Sequence, residues 1–538
     1  MRKRENLFIS AILLAGVATT GITIWRHCTR VGQTVAENQQ TTKYGAFLAA
    51  QHAIYVNDFD RAAFEMKSVS DTDYPIIENT RIMSEFLSGR MPDGAAQLSD
   101  EGGLTARLIY DAHLVTEGNW DELYKRHKND ESALAAPLRV WSSVATGRTQ
   151  DALKFIKKLP TNESWKSFVT GQIYAETGNI EQAATEFEKV RPEFMNINDY
   201  LYLMAFFRAH DMDGAAEKLR VRFTAMPDGM FMAEFCDFPD WNTFSGFKNA
   251  LAFSLVQNVS HTQIMMYSDL AILLLRFAQI VGHDFSKNGD AVNYYLGQFF
   301  FNNTGDWATY FETIKPQSPF YPFAVLRMAE KRNDINALQT MLDDNPLFVS
   351  ASNVLVAKYI EQGEQKRALR VVNRALKSKN LGDDGRAFFK KSRAHIYFVF
   401  GNLDHAQSDL HDAAAVLSMD DEILSLQAKI WAAQNREIEN AYDYAMAIIK
   451  RNPTDVMAWD TLGRVVAARE GADEALKLLE RVGEVSNSNS ALFENIGDQH
   501  NALGDTNAAR DAYMRALELS GDGLTVVPQL KKKIRKLK

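Results

Sequence analysis

The chain has only two cysteines, Cys28 and Cys236, in 538 residues, which excludes a disulfide framework or a thiolate zinc ribbon. Cys236 has no second Cys or His at metal spacing and reads as buried and inert. Proline is scarce, at 13 residues, against about 5% in average chains. A backbone so seldom deprived of an N–H donor leans towards helix. Net charge is −8, so the basic footprint of a nucleic-acid binder is missing and no nucleic-acid partner is expected. There is no G-x-x-x-x-G-K-[ST] loop, no G-x-S-x-G elbow, no H-E-x-x-H helix and no C-x-x-C pair. Those absences remove the Walker phosphate cradle, the hydrolase elbow and the zincin site. No catalytic residue, cofactor or metal is assigned, and the chain reads as a non-enzyme.

Long hydrophobic runs are equally few. Leu7 to Trp25 (LFISAILLAGVATTGITIW) is uncharged over 19 residues, and as a helix it would reach about 28 Å, close to the ~30 Å hydrocarbon core. It reads as an uncleaved transmembrane signal anchor. The other reading is a cleaved signal peptide, whose apolar region is usually shorter and ends at an A-x-A site. Arg2, Lys3 and Arg4 on its N-terminal side favour an N-terminus inside. The next best run, Leu270 to Leu275, is bounded by Asp269 and Arg276 and is too short to cross.

What the chain does contain is self-similarity. In Ala491 to Leu519 an aromatic (Phe493), a pair Ile496-Gly497, and then Ala509, Tyr513 and Ala516 fall at fixed offsets. Stepping back 34 residues gives Trp459, Leu462-Gly463 and Ala475. Gly171, Tyr174, Ala183 and Phe187 form another copy, and weaker ones surround Gly363, Gly401 and Ala441. Small residues at matched places on two antiparallel helices let their backbones approach. The large residues between them fill the gap to the next hairpin, and hairpins of this kind must stack to bury their apolar faces.

This spacing resembles the tetratricopeptide repeat (TPR) family, over most of the chain from about Tyr44 to Ser520. The opening YGAFLAAQHAIYVNDFDRAAFEM is also similar to the first repeat of alphaproteobacterial membrane-anchored envelope TPR proteins. The resemblance implies an all-α, right-handed superhelical solenoid of helix hairpins that binds other proteins. The expected layout is a basic flank (1–6), the anchor (7–25), a polar linker (26–42), N-terminal repeats (43–222), an aromatic-rich irregular region (223–317), C-terminal repeats (318–522) and a basic tail (523–538).

Three further features invite a functional reading. Phe231, Phe235, Phe238 and Trp241, with Trp307 in a second aromatic cluster, suit either a buried joint between half-solenoids or a partner-binding groove. Asp404, His405, Asp409, His411 and Asp412 form the densest polar cluster, and it reads as a solvated helix face. Lys531, Lys532, Lys533, Arg535, Lys536 and Lys538 put six cations in the last eight residues. They ring an apolar stripe of Leu530, Ile534 and Leu537, which suits a capping helix, an anionic-surface contact such as anionic lipid, or both.

The expected function is a membrane-anchored protein–protein interaction scaffold of the cell envelope, in a bacterial inner membrane with a cytoplasmic N-terminus and a periplasmic body. Two alternatives are an accessory subunit of an envelope polysaccharide-biosynthesis or secretion complex, and a cytosol-facing receptor similar to import receptors. The second lacks a Lys-x3-Asn clamp pair at Lys43, where Phe47 stands four residues on.

Overall fold

The computed structural model describes residues 42–67, 69, 74–98, 103–132, 134–235, 245–261, 269–282, 290–303, 305–379, 381–417, 420–486, 489–521 and 524–537. The segment 7–25 lies outside them. Among the described residues every regular element is a helix, and no helix is long and apolar enough to cross a membrane.

The chain divides into two compact units, Met1–Leu98 and Ser99–Lys538. In the first, α1, α2 and α3 (Lys43–Tyr55, Phe59–Met66, Pro75–Leu87) pack around Ala46, Ala50, Ala53, Ala62, Met66 and Ile77. Alanine predominates there because α1 and α2 cross closely.

The second unit begins with four hairpins: α4/α5 (Gly103–Glu117, Trp120–His127), α6/α7 (Ala136–Ala145, Thr149–Lys158), α8/α9 (Glu163–Glu176, Ile180–Phe187) and α10/α11 (Ile197–Ala209, Asp213–Phe223). A short α12 (Gly229–Phe235) leads to α13/α14 (Phe247–His261, Asp269–Val281), α15/α16 (Asp290–Asn302, Trp307–Glu312) and α17/α18 (Tyr321–Arg332, Ile335–Asp344). Five regular hairpins follow: α19/α20 (Val349–Glu361, Gln365–Leu376), α21/α22 (Asp383–Val399, Leu403–Ala414), α23/α24 (Asp421–Gln434, Ile438–Arg451), α25/α26 (Val456–Arg469, Ala472–Val485) and α27/α28 (Ser490–Ala502, Thr506–Leu519). The last helix is α29 (Val527–Lys536).

The hairpin turns among the described residues share a pattern. A residue in the left-handed region ends the first helix, glycine at Gly178 (φ 80°) and Gly401 (φ 81°), asparagine at Asn333 (φ 53°) and Asn435 (φ 52°). These are the residues that tolerate that conformation best. An Asp or Asn side chain then often caps the next helix, as Asp505 does by accepting from the Ala508 N–H and Asp334 from that of Ala337.

The repeat positions set the helix spacing. A Cβ built on Gly463 would stand 2.3 Å from Leu479 Cδ2, on Gly497 2.5 Å from the Tyr513 ring, and on Gly171 2.4 Å from the Phe187 ring. Ala183, Ala475, Ala509 and Ala516 are fully buried. Leu462 and Ile496 lie in the clusters between successive hairpins, where half-buried Trp459 and Phe493 bridge them. Tyr174 is half-buried on α8. The region 223–317 also holds a hairpin of this kind: Gly297 on α15 faces Phe311 on α16, where a Cβ would come within 2.5 Å of the ring.

Replacing Gly463 with Val drives a side chain into Leu479, and overpacking of this sort costs about 1–3 kcal/mol. Gly483, inside α26, has no neighbour closer than 3.5 Å to its would-be Cβ, so Gly483→Ala gains helix propensity of up to ~1 kcal/mol. Denaturant melts should therefore show Gly463→Val less stable than wild type and Gly483→Ala at least as stable. Equal stability of the two variants would contradict this packing.

Candidate functional site

The first helices of successive hairpins line the inner face of a helical stack, and the two halves of the second unit use that face differently. In the N-terminal half it is covered by the chain itself. α13 is buried on nearly all sides, with Ala250 to Val256 inaccessible to solvent or nearly so, and it lies on the inner helices α6, α8 and α10. The Trp141 indole N–H donates to Ser254 Oγ at 2.8 Å. Phe253 stacks on Phe168 at 5.8 Å, and the Gln257 amide donates to Asp199 Oδ1 at 2.9 Å. His261 Nε2 meets Asp199 Oδ2 at 2.6 Å. Burial opposes the imidazolium, but the Asp199 charge and hydrogen bond outweigh it and raise the His261 pKa. At the start of α13, the Lys248 ammonium donates to the Thr116 carbonyl at 2.8 Å. The helix thus lies across that face from the end of α4 to α10.

Of the aromatic candidates, Phe231 belongs to a joint. Phe231 on α12 is 4% exposed and stacks on Phe348 at 4.1 Å, with Phe323 edge-on at 6.0 Å. Buried in this way it presents no surface to a partner. Asp228 at the head of α12 accepts from the Ser350 N–H at 2.9 Å, so α12 docks on α19. Trp307 is half-buried on α16, between Phe301 and Phe311, with the Arg332 guanidinium 5.6 Å from its ring. Phe238, Trp241 and the side chain of Phe235 lie outside the described residues, as does Cys236. In the polar cluster, Asp409 takes two hydrogen bonds from Arg393 at 2.6 and 2.7 Å, Asp412 pairs with Lys390, and His405 lies on the Tyr397 ring at 5.1 Å. Asp409, Asp412 and His405 thus engage α21, and Asp409 is buried, so the face is not solvated throughout as expected. No group of His, Cys, Asp or Glu suited to hold a metal occurs among the described residues.

In the C-terminal half the inner face is open. Helices α19, α21, α23, α25 and α27 line a groove of about 620 Å³, and α29 closes one side of it. Two ladders of side chains run along its wall. Val356, Lys391, Ser425, Asp460, Glu494 and Gln529 make one, and Ile360, His395, Lys429, Arg464, Asp498 and Lys533 make the other. Successive rungs are 34 or 35 residues apart, and the two rungs on each helix are four residues apart, on one face. A residue step that matches the hairpin length brings each rung back to the same face of the next inner helix. Phe398, Leu426 and Met457 supply apolar floor between the charges.

The electrostatics of the wall are layered. Asp460 is fully buried; it meets Lys429 at 3.0 Å and Arg464 at 3.2 Å and accepts from the Asn495 amide at 2.9 Å. Burial opposes its charge, yet Arg464 and Lys429 hold its pKa below the usual carboxylate range. Burial, with Arg464 alongside, pulls the Lys429 ammonium down in spite of Asp460. Lys391 meets Asp420 at 2.8 Å and Glu422 at 2.7 Å; burial opposes its charge, but the two carboxylates raise its pKa. Burial first, and Lys429 second, push His395 down to about 4, so it is neutral near pH 7.

The basic tail divides by face. Leu530 and Leu537 are buried against Ala509, Tyr513 and Ala516, with half-buried Ile534 beside them, and the Arg510 guanidinium donates to the Leu537 carbonyl at 2.7 Å. α29 therefore caps the stack. Lys531, Lys532, Arg535 and Lys536 are exposed, and Lys538 lies outside the described residues. Lys533 departs from the expectation of an anionic-surface contact. It points into the groove and donates to Glu494 at 2.8 Å and to Asp498 at 2.6 Å, because it stands 35 residues after Asp498 and so occupies the next rung. Where α29 begins, Pro528 packs on Gly363 at the end of α19; a Cβ there would come 3.1 Å from Pro528 Cγ.

A neutral His395 in the folded state and an ordinary one near pKa 6.5 in the unfolded chain mean that stability falls as pH drops from about 6.5 towards 4. Between pH 7 and pH 5 the melting temperature of wild type should fall further than that of His395→Gln. Equal falls would contradict a neutral His395 held in the half-buried wall of the groove.

No protein-family model matches the chain, and no curated protein matches it. Among solved structures, it is similar to YrrB, described as a TPR protein with an unusual peptide-binding site, at 17% identity over 37% of this chain and 99% of that one, TM-score 0.23. It is similar also to a TPR protein from Parabacteroides merdae, at 13% identity over 54% and 99% of the two chains, TM-score 0.31. A third is the Cut9-Hcn1 hetero-tetramer of the APC/C, at 13% identity over 92% and 96%, TM-score 0.32.

Proposed function

We propose that this protein is a non-enzymatic interaction scaffold that holds a segment of another protein in the groove of its C-terminal half. The observation that carries the reading is the contrast between the two halves. Both are built of stacked hairpins, but α13 fills the inner face of one, while the other leaves about 620 Å³ open between two ladders of evenly spaced side chains. A repeated inner face offering polar groups and apolar floor at a constant step suits an extended or helical polypeptide segment. A compact metabolite would need its polar contacts converging on one point.

The finer reading rests on the sequence. Leu7–Trp25 would anchor the scaffold in a bacterial inner membrane, N-terminus inside, with the body in the periplasm. An anchor confines the search for a partner to the membrane surface and raises its effective concentration. Lys531, Lys532, Arg535 and Lys536, exposed on the outer side of α29, would suit an anionic lipid surface. A topology reporter fused after Lys538 tests the sidedness: activity only outside the inner membrane supports it, and activity only in the cytoplasm overturns it.

The groove is tested by filling it. Ser392 lines it and makes a single hydrogen bond, to Asn353 Oδ1 at 2.9 Å. Ser392→Trp places an indole in the channel, while Arg481→Trp changes an exposed position of the outer helix α26. Proteins captured by the chain and identified by mass spectrometry should be depleted at least about tenfold by Ser392→Trp and retained by Arg481→Trp. Equal capture by both variants would contradict a groove site.

A further inference from the structure

The groove has a sign. Its lining carries six carboxylates, Asp421, Glu422, Asp455, Asp460, Glu494 and Asp498, against the cations Lys391, Lys429 and Arg464 of the inner helices. The two signs are interleaved in depth: the side chains of Lys429, Lys391 and Arg464 are 9%, 18% and 28% exposed, those of Glu494, Asp498 and Glu422 17%, 33% and 79%. Asp460, which absorbs two of the cations, is itself out of reach of solvent. With Lys533 counted, the lining sets four cations against six carboxylates and is negative on balance, by two charges. The inner helices pair Glu422 with Lys391 and Asp460 with Lys429 and Arg464, and α29 adds one cation from outside them: Lys533 sits between Glu494 and Asp498 at 2.8 and 2.6 Å. Its side chain remains 35% exposed, so the contact is open to exchange with water and with other cations.

We propose that the groove takes a basic segment of another polypeptide, and that Lys533 holds the place of a Lys or Arg of that segment between Glu494 and Asp498. The proposal rests on the scaffold reading above and adds the chemistry of the partner. Charge complementarity selects the sign. The four-residue and 34-to-35-residue steps of the wall select a chain with repeated side chains rather than a single cation. The apolar stripe of α29 keeps the cap in place, so exchange needs only the Lys533 side chain to swing away, not the helix to leave.

The test uses the full chain and two fluorescein-labelled decapeptides, alternating Ala-Lys and alternating Ala-Glu, read by anisotropy at low salt. The Ala-Lys peptide should bind wild type and bind Lys533→Ala about tenfold more tightly. It should bind the Glu494→Gln/Asp498→Asn double variant at least about tenfold more weakly than wild type. Its affinity should also fall as salt is raised through the range in which exposed charges are screened. The Asn at 498 keeps an acceptor for the Tyr513 hydroxyl, which donates to Asp498 at 2.7 Å, and unchanged melts of all variants show that the cap is intact. Affinity unaffected by Lys533→Ala or by the double variant overturns the proposal, as does tighter binding of Ala-Glu, or no binding of Ala-Lys to Lys533→Ala. Ser392→Trp separates the two readings: Ala-Glu binding that this variant abolishes leaves a groove but not a basic partner, whereas peptide binding indifferent to it removes both.

Discussion

At Gly171, Gly297, Gly463 and Gly497 the first helix of a hairpin has no side chain where the second helix sends in Phe187, Phe311, Leu479 or Tyr513. That missing Cβ lets two helices cross with a large side chain wedged between them. The crossing fixes which face of the first helix turns away from its partner, towards the inner side of the stack. Everything functional is downstream of this contact. A hairpin opened by one bulky residue would tilt its inner helix and move a rung of the ladder out of line with its neighbours.

Once hairpins stack, an inner face forms whether or not anything occupies it, and its apolar part must be covered or tolerated. The N-terminal half covers it with α13, whose buried Phe253 meets Phe168 and Tyr202. Polar contacts at Ser254, Gln257 and His261 fix its register. The C-terminal half tolerates an open face by making it ionic. Lys429, Asp460 and Arg464 form a group in which each charge has an opposite neighbour, and that is the condition under which burying charge is affordable. One half thus has its inner face occupied by α13 and the other has it open, although the hairpins beneath are alike.

Much of this was legible in the sequence where the determinants are local. Gly463, Gly497, Ala475 and Ala509 stand out because small residues recur at one offset from large ones. The α15/α16 hairpin lacks that offset, because Gly297 and Phe311 are 14 residues apart rather than the 16 of Gly497 and Tyr513. The wall ladder was hidden for another reason. Its spacing is regular, but its chemistry changes at every step, from Lys391 to Ser425 to Asp460 to Glu494, so a search for similar residues passes over it. A search for polar residues at a step of 34 or 35 would have found it, and would have placed Lys533 in the groove instead of on an outer basic face. The docking of α13 had no local signal at all, since Ser254 meets Trp141 across 113 residues.

The central claim is that the chain fills one inner face with its own helix and leaves the other open, and amide hydrogen exchange on the intact protein reaches it most directly. The account predicts that amides in the middle of α13 exchange as slowly as those of α6 and α8 on which it lies, because all three can open only together. Exchange of α13 at the rate of the exposed hairpin turns, with α6 and α8 still protected, would mean that the helix is not seated there and would contradict the account.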